Sequence, residues 1–226
     1  MKETILVTGA TGLVGGGVLQ RMLETNPRLD AYVLVRDQNG WRRQLPRWGR
    51  LASRITAVAG DVSLPGLAME PRIRARIASC ITTIVHAAAN TSFSRPLEES
   101  RLANTIGTAQ MLEFAAECPE LKRFAYVSTA FVAGRATGEM LERDNGAGAG
   151  WVNAYEQSKY EAECLVRSSA TSWVIFRPST LVCRGADGVV TQVNGVHRAL
   201  RIYHRGLAAM MPGAVKIRST SSLPIM

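Results

Sequence analysis

The chain opens on an apolar run, Thr4-Ile5-Leu6-Val7, which stops at Thr8-Gly9-Ala10-Thr11-Gly12-Leu13-Val14-Gly15 and gives way to a helix-like stretch ending near Glu24. This pattern predicts strand, glycine turn, helix. After a break at Asn26-Pro27, Ala31-Tyr32-Val33-Leu34-Val35 is a short apolar run of the kind that forms a buried parallel strand. Ile55-Thr56-Ala57-Val58-Ala59, Ile81-Thr82-Thr83-Ile84-Val85-His86, Arg123-Phe124-Ala125-Tyr126-Val127-Ser128 and Ser172-Trp173-Val174-Ile175-Phe176-Arg177 predict four more strands. Between the strands the period changes to that of a helix. Trp41 and Trp48 share a helical face within 41–54, a helix-like segment spans 71–79, and Leu102, Ile106, Met111, Phe114 and Ala115 recur at helical spacing within 97–118. Residues 192–205 read as a last helix, and the glycine-rich segment from Gly134 to Gly150 reads as a loop able to close over a substrate. Strands alternating with helices predict an α/β protein built on a doubly wound parallel sheet.

With 226 residues and 46% hydrophobic content, the chain can bury a full core and make one α/β domain, but hardly two. No charged segment and apolar stretch precede the first strand, and no later apolar run reaches membrane-spanning length. The expectation is a soluble, cytoplasmic protein without a membrane span. Cys80, Cys118, Cys164 and Cys183 are scattered and the histidines follow no ligand spacing, so neither disulfide nor metal is expected. The net charge of +9 is almost all arginine, which suits an anionic ligand as well as plain solvated faces. Arginines mixed with Trp41 and Trp48 over 41–54 are also found on nucleic-acid surfaces. An amphipathic helix with a solvated basic side accounts for them more simply, and no nucleic-acid partner is expected.

Candidate chemistry gathers at the predicted strand ends. A glycine turn between strand and helix lets the backbone approach a pyrophosphate, whose charge the N–H groups at the helix start receive. In the turn formed with Thr11, Leu13 and Val14, Gly9 permits the tight bend, Gly12 the close approach and Gly15 the packing of helix on strand. Arg36 ends the second strand about twenty residues past Gly15, where an acidic residue would grip the ribose of NAD; arginine suits the extra phosphate of NADP. Asp37 comes one place late, and Arg42 and Arg43 could add to a phosphate clamp. Asp61, beside Val62, can accept from an adenine amino group or cap the following turn. Ala87, Ala88 and Ala89 leave room for backbone against a cofactor, or make a close-packed turn. His86 is expected buried, and Asn104 either ties its helix to the catalytic strand or is a plain polar position. Ser128 and Thr129 stand at the ligand edge of the fifth strand. Tyr155 and Lys159 share a helical face, where a cation beside a phenol lowers its pKa. Pro178, Ser179 and Thr180 end the sixth strand, beside a nicotinamide.

Thr8 to Gly15 as Thr-Gly-x-x-Gly-x-x-Gly, Tyr155 to Lys159 as Tyr-x-x-x-Lys and Arg177 to Ser179 as Arg-Pro-Ser resemble the extended short-chain dehydrogenase/reductase superfamily. Gly60-Asp61-Val62 with Pro65-Gly66-Leu67, Val85-His86-Ala87-Ala88, Ser128-Thr129-Ala130-Phe131-Val132 and Tyr155-Glu156-Gln157-Ser158-Lys159 are most similar to its thioester reductase and fatty acyl-CoA reductase branch. The resemblance, from Lys2 to about Gly213, implies a Rossmann fold over 1–226, with 183–226 a remnant of the substrate-binding part. It implies that Thr129 holds a substrate carbonyl, Tyr155 protonates it, and Lys159 binds the nicotinamide ribose and tunes Tyr155. The implied cofactor is NADP(H), and the implied substrate an acyl thioester, CoA- or carrier-bound, reduced to aldehyde or alcohol. The alternatives are a sugar-nucleotide epimerase or dehydratase, a ketone reductase, or a non-catalytic NADPH-binding regulator. Extended members continue with another strand and a smaller substrate lobe that this sequence lacks. The expectation is a truncated chain, or a minimal member whose pocket is completed by another subunit in a homo-oligomer.

Overall fold

The computed structural model describes residues 3–143, 149–181, 193 and 195–206. The chain divides into two units, Met1–Ser179 and Thr180–Met226. The sequence reading put one domain over the whole chain with its remnant beginning at 183; most of that remnant lies outside the described residues.

The first unit is an open sheet of six parallel strands: β1 (Thr4–Thr8), β2 (Asp30–Val35), β3 (Ile55–Ala59), β4 (Thr83–His86), β5 (Arg123–Val127) and β6 (Trp173–Phe176). Their spatial order is β3-β2-β1-β4-β5-β6. Every residue of β1 is buried, which is why the strand reads as an unbroken apolar run rather than an alternating one. Its neighbours are β2 and β4, in registers that set Thr8 opposite Leu34 and His86. Strand order runs outward in opposite directions from β1 and β4, and the crevice between their carboxyl ends is where open sheets of this kind bind ligands.

Successive side chains of a strand point to opposite faces, so each face acquires its own core. On one, Leu6, Leu34, Ile84, Phe124 and Tyr126 pack with Ile77, Met111, Phe114 and Val166. These four come from α3 (Pro71–Ala78), α5 (Gly107–Ala116) and α6 (Ala154–Ser168). On the other, Ile5, Val7, Val33 and Val35 pack with Leu19 and Leu23 of α1 (Leu13–Thr25) and with Trp41, Trp48 and Leu51. Helices on both faces make the sheet doubly wound, as the alternation of periods predicts.

Two helices depart from that reading. The expected single helix over 41–54 is instead α2 (Gln38–Gln44) followed by 3₁₀ turns over Leu45–Arg54, with Gly49 at φ 47°. Pro46 has no N–H to continue the ladder, and the glycine bends the chain. Both tryptophans still turn inward, their ring centroids 5.8 Å apart. The expected helix over 97–118 is interrupted: α4 (Leu97–Arg101) passes through a π-helical turn at Leu102–Ile106 before α5. Such turns concentrate at functional sites, and this one carries Asn104.

The second unit contributes α7 (Gly195–His204), none of whose residues is buried. The readings of Gly146 and Gly148 as loop, of Cys183, and of the helix at 192 and 194 fall outside the described residues. Among the described residues no helix is long and apolar enough to cross a membrane, and no three metal-ligating side chains cluster.

Candidate active site

At the carboxyl end of β1 the backbone turns through Gly9 at φ 71°. A β-carbon there would stand 2.6 Å from the Ala87 carbonyl carbon and 2.7 Å from the Ala88 nitrogen. Only glycine lets this turn lie against the end of β4. A β-carbon on Gly15 would collide with the Gly9 carbonyl oxygen. Gly12 caps α1 with no side-chain hydrogen bond, and the first turn of α1 holds no acidic residue. The result is a backbone cradle at the positive end of a helix, formed by Gly9, Thr11, Gly12, Leu13, Val14 and Gly15 and facing Ala87 and Ala88. A dinucleotide pyrophosphate fits it.

Buried polar side chains brace the crevice. Thr8 Oγ1 accepts from the Ala88 N–H at 3.1 Å and lies 2.7 Å from His86 Nδ1. Thr108 Oγ1 donates to the Asn104 carbonyl at 2.6 Å and lies 3.2 Å from His86 Nε2. Thr108 has spent its proton, so it accepts from Nε2–H, and Nδ1 accepts the Thr8 proton; the network assigns a neutral ring. Burial, with the Lys159 charge adding to it, pushes the His86 pKa from 6.5 down to about 3. An unfolded chain binds this proton near pH 6.5, so the contribution to stability is complete above that pH and is lost as pH falls toward 3. Urea unfolding of the parent and of His86→Asn is expected to show stability falling up to about 1.4 kcal/mol more steeply per pH unit in the parent.

Asn104 does not reach the catalytic strand. Its Oδ1 accepts from the Asn90 N–H at 2.8 Å, and its Nδ2 donates to the Asn90 carbonyl at 3.0 Å and to Ser158 Oγ at 2.9 Å. Ser158 in turn donates to the Tyr155 carbonyl at 3.0 Å. The amide thus fixes the loop after β4 to the turn of α6 that carries Tyr155. Asn153 caps that helix, accepting from the Glu156 N–H at 3.0 Å.

Thr129 and Tyr155 come together: both residues are buried, and the Thr129 hydroxyl is near enough to the phenol to act on its pKa. The expectation that a nearby cation lowers the phenol pKa is corrected here. Burial raises the Tyr155 pKa, with only the bond to Thr129 pulling it down. Lys159 is turned away, donating to the Val127 carbonyl at 2.7 Å with its Nζ 4.2 Å from the Tyr126 ring centroid. Burial pushes its pKa down to about 7, with the charge of Glu163 acting in the opposite sense. Pro178 anchors the end of β6 by accepting from the Ala130 N–H at 3.0 Å. Ser179 is exposed, as is Thr180, which belongs to the second unit.

At the other end of the crevice, Arg36 is 76% exposed with its Nη1 3.9 Å from Asp61 Oδ2, a surface pair too weak to hold it from a phosphate. Asp61 Oδ1 caps the next turn, accepting from the Ser63 N–H at 2.9 Å, and Val62 is buried. Asp37 caps α2, accepting from the Gly40 N–H at 2.8 Å. Arg42 and Arg43 are both exposed, and Arg43 pairs with Asp37 at 3.5 Å. The arginine that leans on the glycine turn is Arg47, whose Nη2 donates to the Ala10 carbonyl at 3.2 Å while its guanidinium lies 4.8 Å from the Trp48 ring centroid. Sequence reasoning missed it because the kink at Gly49 destroys the helical period by which 41–54 was ordered. It also missed Phe93, whose ring meets that of Tyr155 at 5.5 Å.

This strand order, a glycine cradle at the switch point and a Thr–Tyr hydroxyl pair on neighbouring elements define a nicotinamide-dinucleotide-binding domain of the extended short-chain dehydrogenase/reductase class. Within that class the chain belongs to the male sterility protein family of NAD-binding domains, whose sequence profile matches residues 7–222. It is 30% identical over 145 residues to fatty acyl-CoA reductase 2 of Mus musculus, covering 57% of this chain and 28% of that protein. A non-canonical nonribosomal peptide synthetase of Aspergillus campestris is 29% identical over 220 residues, 87% of this chain and 21% of that protein. The terminal R domain from the myxalamid PKS-NRPS biosynthetic pathway superimposes with a TM-score of 0.83 at 28% identity, over 94% of this chain and 57% of that one. The chain therefore spans little more than a quarter of the length of the curated fatty acyl-CoA reductases it matches.

Proposed function

We propose that this chain is the cofactor-binding part of an NADPH-dependent reductase of acyl thioesters, CoA- or carrier-bound. The observation that carries this reading is that the buried Thr129, just past β5, and the buried Tyr155, in the first turn of α6, come together at the ligand edge of the sheet. Two donors converging on one point are what a carbonyl oxygen needs as it gains charge. Thr129 Oγ1 and Tyr155 Oη orient that oxygen, and Tyr155, kept protonated by its raised pKa, delivers its proton there. When bound, NADPH supplies the hydride to the carbonyl carbon. Lys159, in its ammonium form, binds the ribose and offsets the charge left on the phenolate. One thioester, one hydride and one proton give one aldehyde and one free thiol.

Arg36 and Arg47 support NADPH over NADH, since Arg36 follows β2 with its guanidinium exposed, Arg47 leans on the glycine turn, and both guanidiniums match a phosphate. NADPH is expected to bind more tightly than NADH. Losing a charge-assisted contact costs about 1.5–3 kcal/mol, so Arg36→Ala should weaken NADPH roughly tenfold or more and leave NADH nearly unchanged. Equal affinities in the unmutated chain, measured by fluorescence titration, would remove NADPH from the proposal. Thiol release from long-chain acyl-CoA, matched to NADPH oxidation, tests the substrate.

A further inference from the structure

Glu163 lies one helical turn beyond Lys159 on the inward face of α6 and is fully buried. A carboxylate in that position needs a partner. Arg177, which follows the last residue of β6, supplies a two-pronged fork, its Nε 3.0 Å from Oε1 and its Nη2 2.7 Å from Oε2. Arg167 adds a third nitrogen 3.8 Å from Oε2. Bidentate guanidinium contacts of this kind satisfy both oxygens of a buried carboxylate.

Lys159 has no such partner. Its described contacts are one carbonyl, that of Val127, and the face of the Tyr126 ring. Neither offsets the cost of burying an ammonium. The titratable groups facing it from the neighbouring elements are His86 of β4, held neutral by its hydrogen bonds, and Tyr126 of β5, whose hydroxyl burial keeps protonated. Among the described residues Glu163 is the one anion acting on it, and it is itself paired with Arg177 and Arg167.

We propose that Glu163, fixed in place by the Arg177 fork, is the positioning residue that holds Lys159 in its ammonium form. This rests on the reading of Lys159 as the cation of the site. It also gives the arginine of the Arg-Pro-Ser sequence a task, which is to fix a buried carboxylate in place. The competing account is that Glu163 and Arg177 only close a buried ion pair between α6 and β6.

Lys2, Lys122, Lys159 and Lys216 are the only lysines, so side-chain NMR of the lysine-labelled full chain can follow Lys159 through a pH titration. Removing an opposite charge shifts a neighbouring pKa by about 1–3 units. Glu163→Gln is expected to lower the Lys159 midpoint by about one unit or more, and Glu163→Asp to restore most of it. If the single variant does not fold, Glu163→Gln with Arg177→Met leaves no orphaned guanidinium and should show a smaller fall, because a cation leaves with the anion. A Lys159 midpoint unchanged in any folded variant overturns the proposal and leaves the pair as packing. NADPH affinity measured over the same pH range separates the two readings: a lowered midpoint supports the role of Glu163. If affinity then stays constant across the shifted midpoint, it is the ribose role of Lys159 that fails.

Discussion

Tyr155→Phe is expected to keep its fold and its NADPH affinity while losing about 10²–10⁴-fold in turnover of any acyl thioester the parent reduces, the usual contribution of a positioned general acid. The substitution removes one oxygen. The ring stays, with its contact to Phe93 at 5.5 Å, and so does the Ser158 bond to the Tyr155 carbonyl, 3.0 Å, that sets the helix turn. What disappears is the proton held beside the Thr129 hydroxyl. Because burial raises the Tyr155 pKa, deprotonation of the phenol does not limit activity near neutral pH. An alkaline loss of activity just above pH 7 belongs to Lys159, whose pKa is about 7. The measurement is steady-state turnover beside a cofactor titration of the same preparation. Full activity in the phenylalanine variant would mean that another group protonates the product, and that the Thr129–Tyr155 pair is a structural hydrogen bond.

The parts of this site legible in the sequence are those whose signal is local. The run at β1 is continuous because both its faces are buried, and the glycines after it mark positions where backbone must approach backbone. Tyr155 and Lys159 were legible as a pair because four residues return a helix to the same face. The direction of the Tyr155 pKa was not, since spacing says nothing about burial, and burial outweighs a lysine that turns toward Val127 instead. Arg47 was hidden by the kink at Gly49, and the π-helical turn at Asn104 by an apolar spacing that fits an ordinary helix equally well. Glu163 shows the same gap from the other side. A glutamate four residues after a lysine usually reads as a solvated surface pair, and only the packing of α6 against β5 and β6 puts it inside, where Arg177 becomes its partner.

Gly9→Ala is expected to abolish dinucleotide binding, NADPH and NADH alike, and to cost about 2–5 kcal/mol of stability. Two terms add: an alanine at φ 71° costs about 1–2 kcal/mol, and forcing extra atoms into a packed site typically costs about 1–3 kcal/mol. The second term cannot relax cheaply here. The β-carbon would sit 2.6 Å from the Ala87 carbonyl carbon, and that backbone is held by the 3.1 Å bond from the Ala88 N–H to Thr8 and by the registry of β1 on β4. The strain must open the crevice itself. Since domains of this kind have roughly 5–15 kcal/mol in hand, the variant should still fold at low temperature, so lost binding can be told apart from lost structure by circular dichroism at the titration temperature. The contrast with Arg36→Ala is diagnostic, because that variant should lose NADPH selectively. Gly17→Ala is the internal control. Gly17 lies on the exposed side of α1 with nothing within 4 Å of an added β-carbon, so alanine there should stabilise the helix by about 0.5–1 kcal/mol and leave both cofactors bound. Should Gly9→Ala bind NADPH within twofold of the parent, the pyrophosphate does not lie on this turn, and the cofactor site has to be sought away from the β1–β4 crevice.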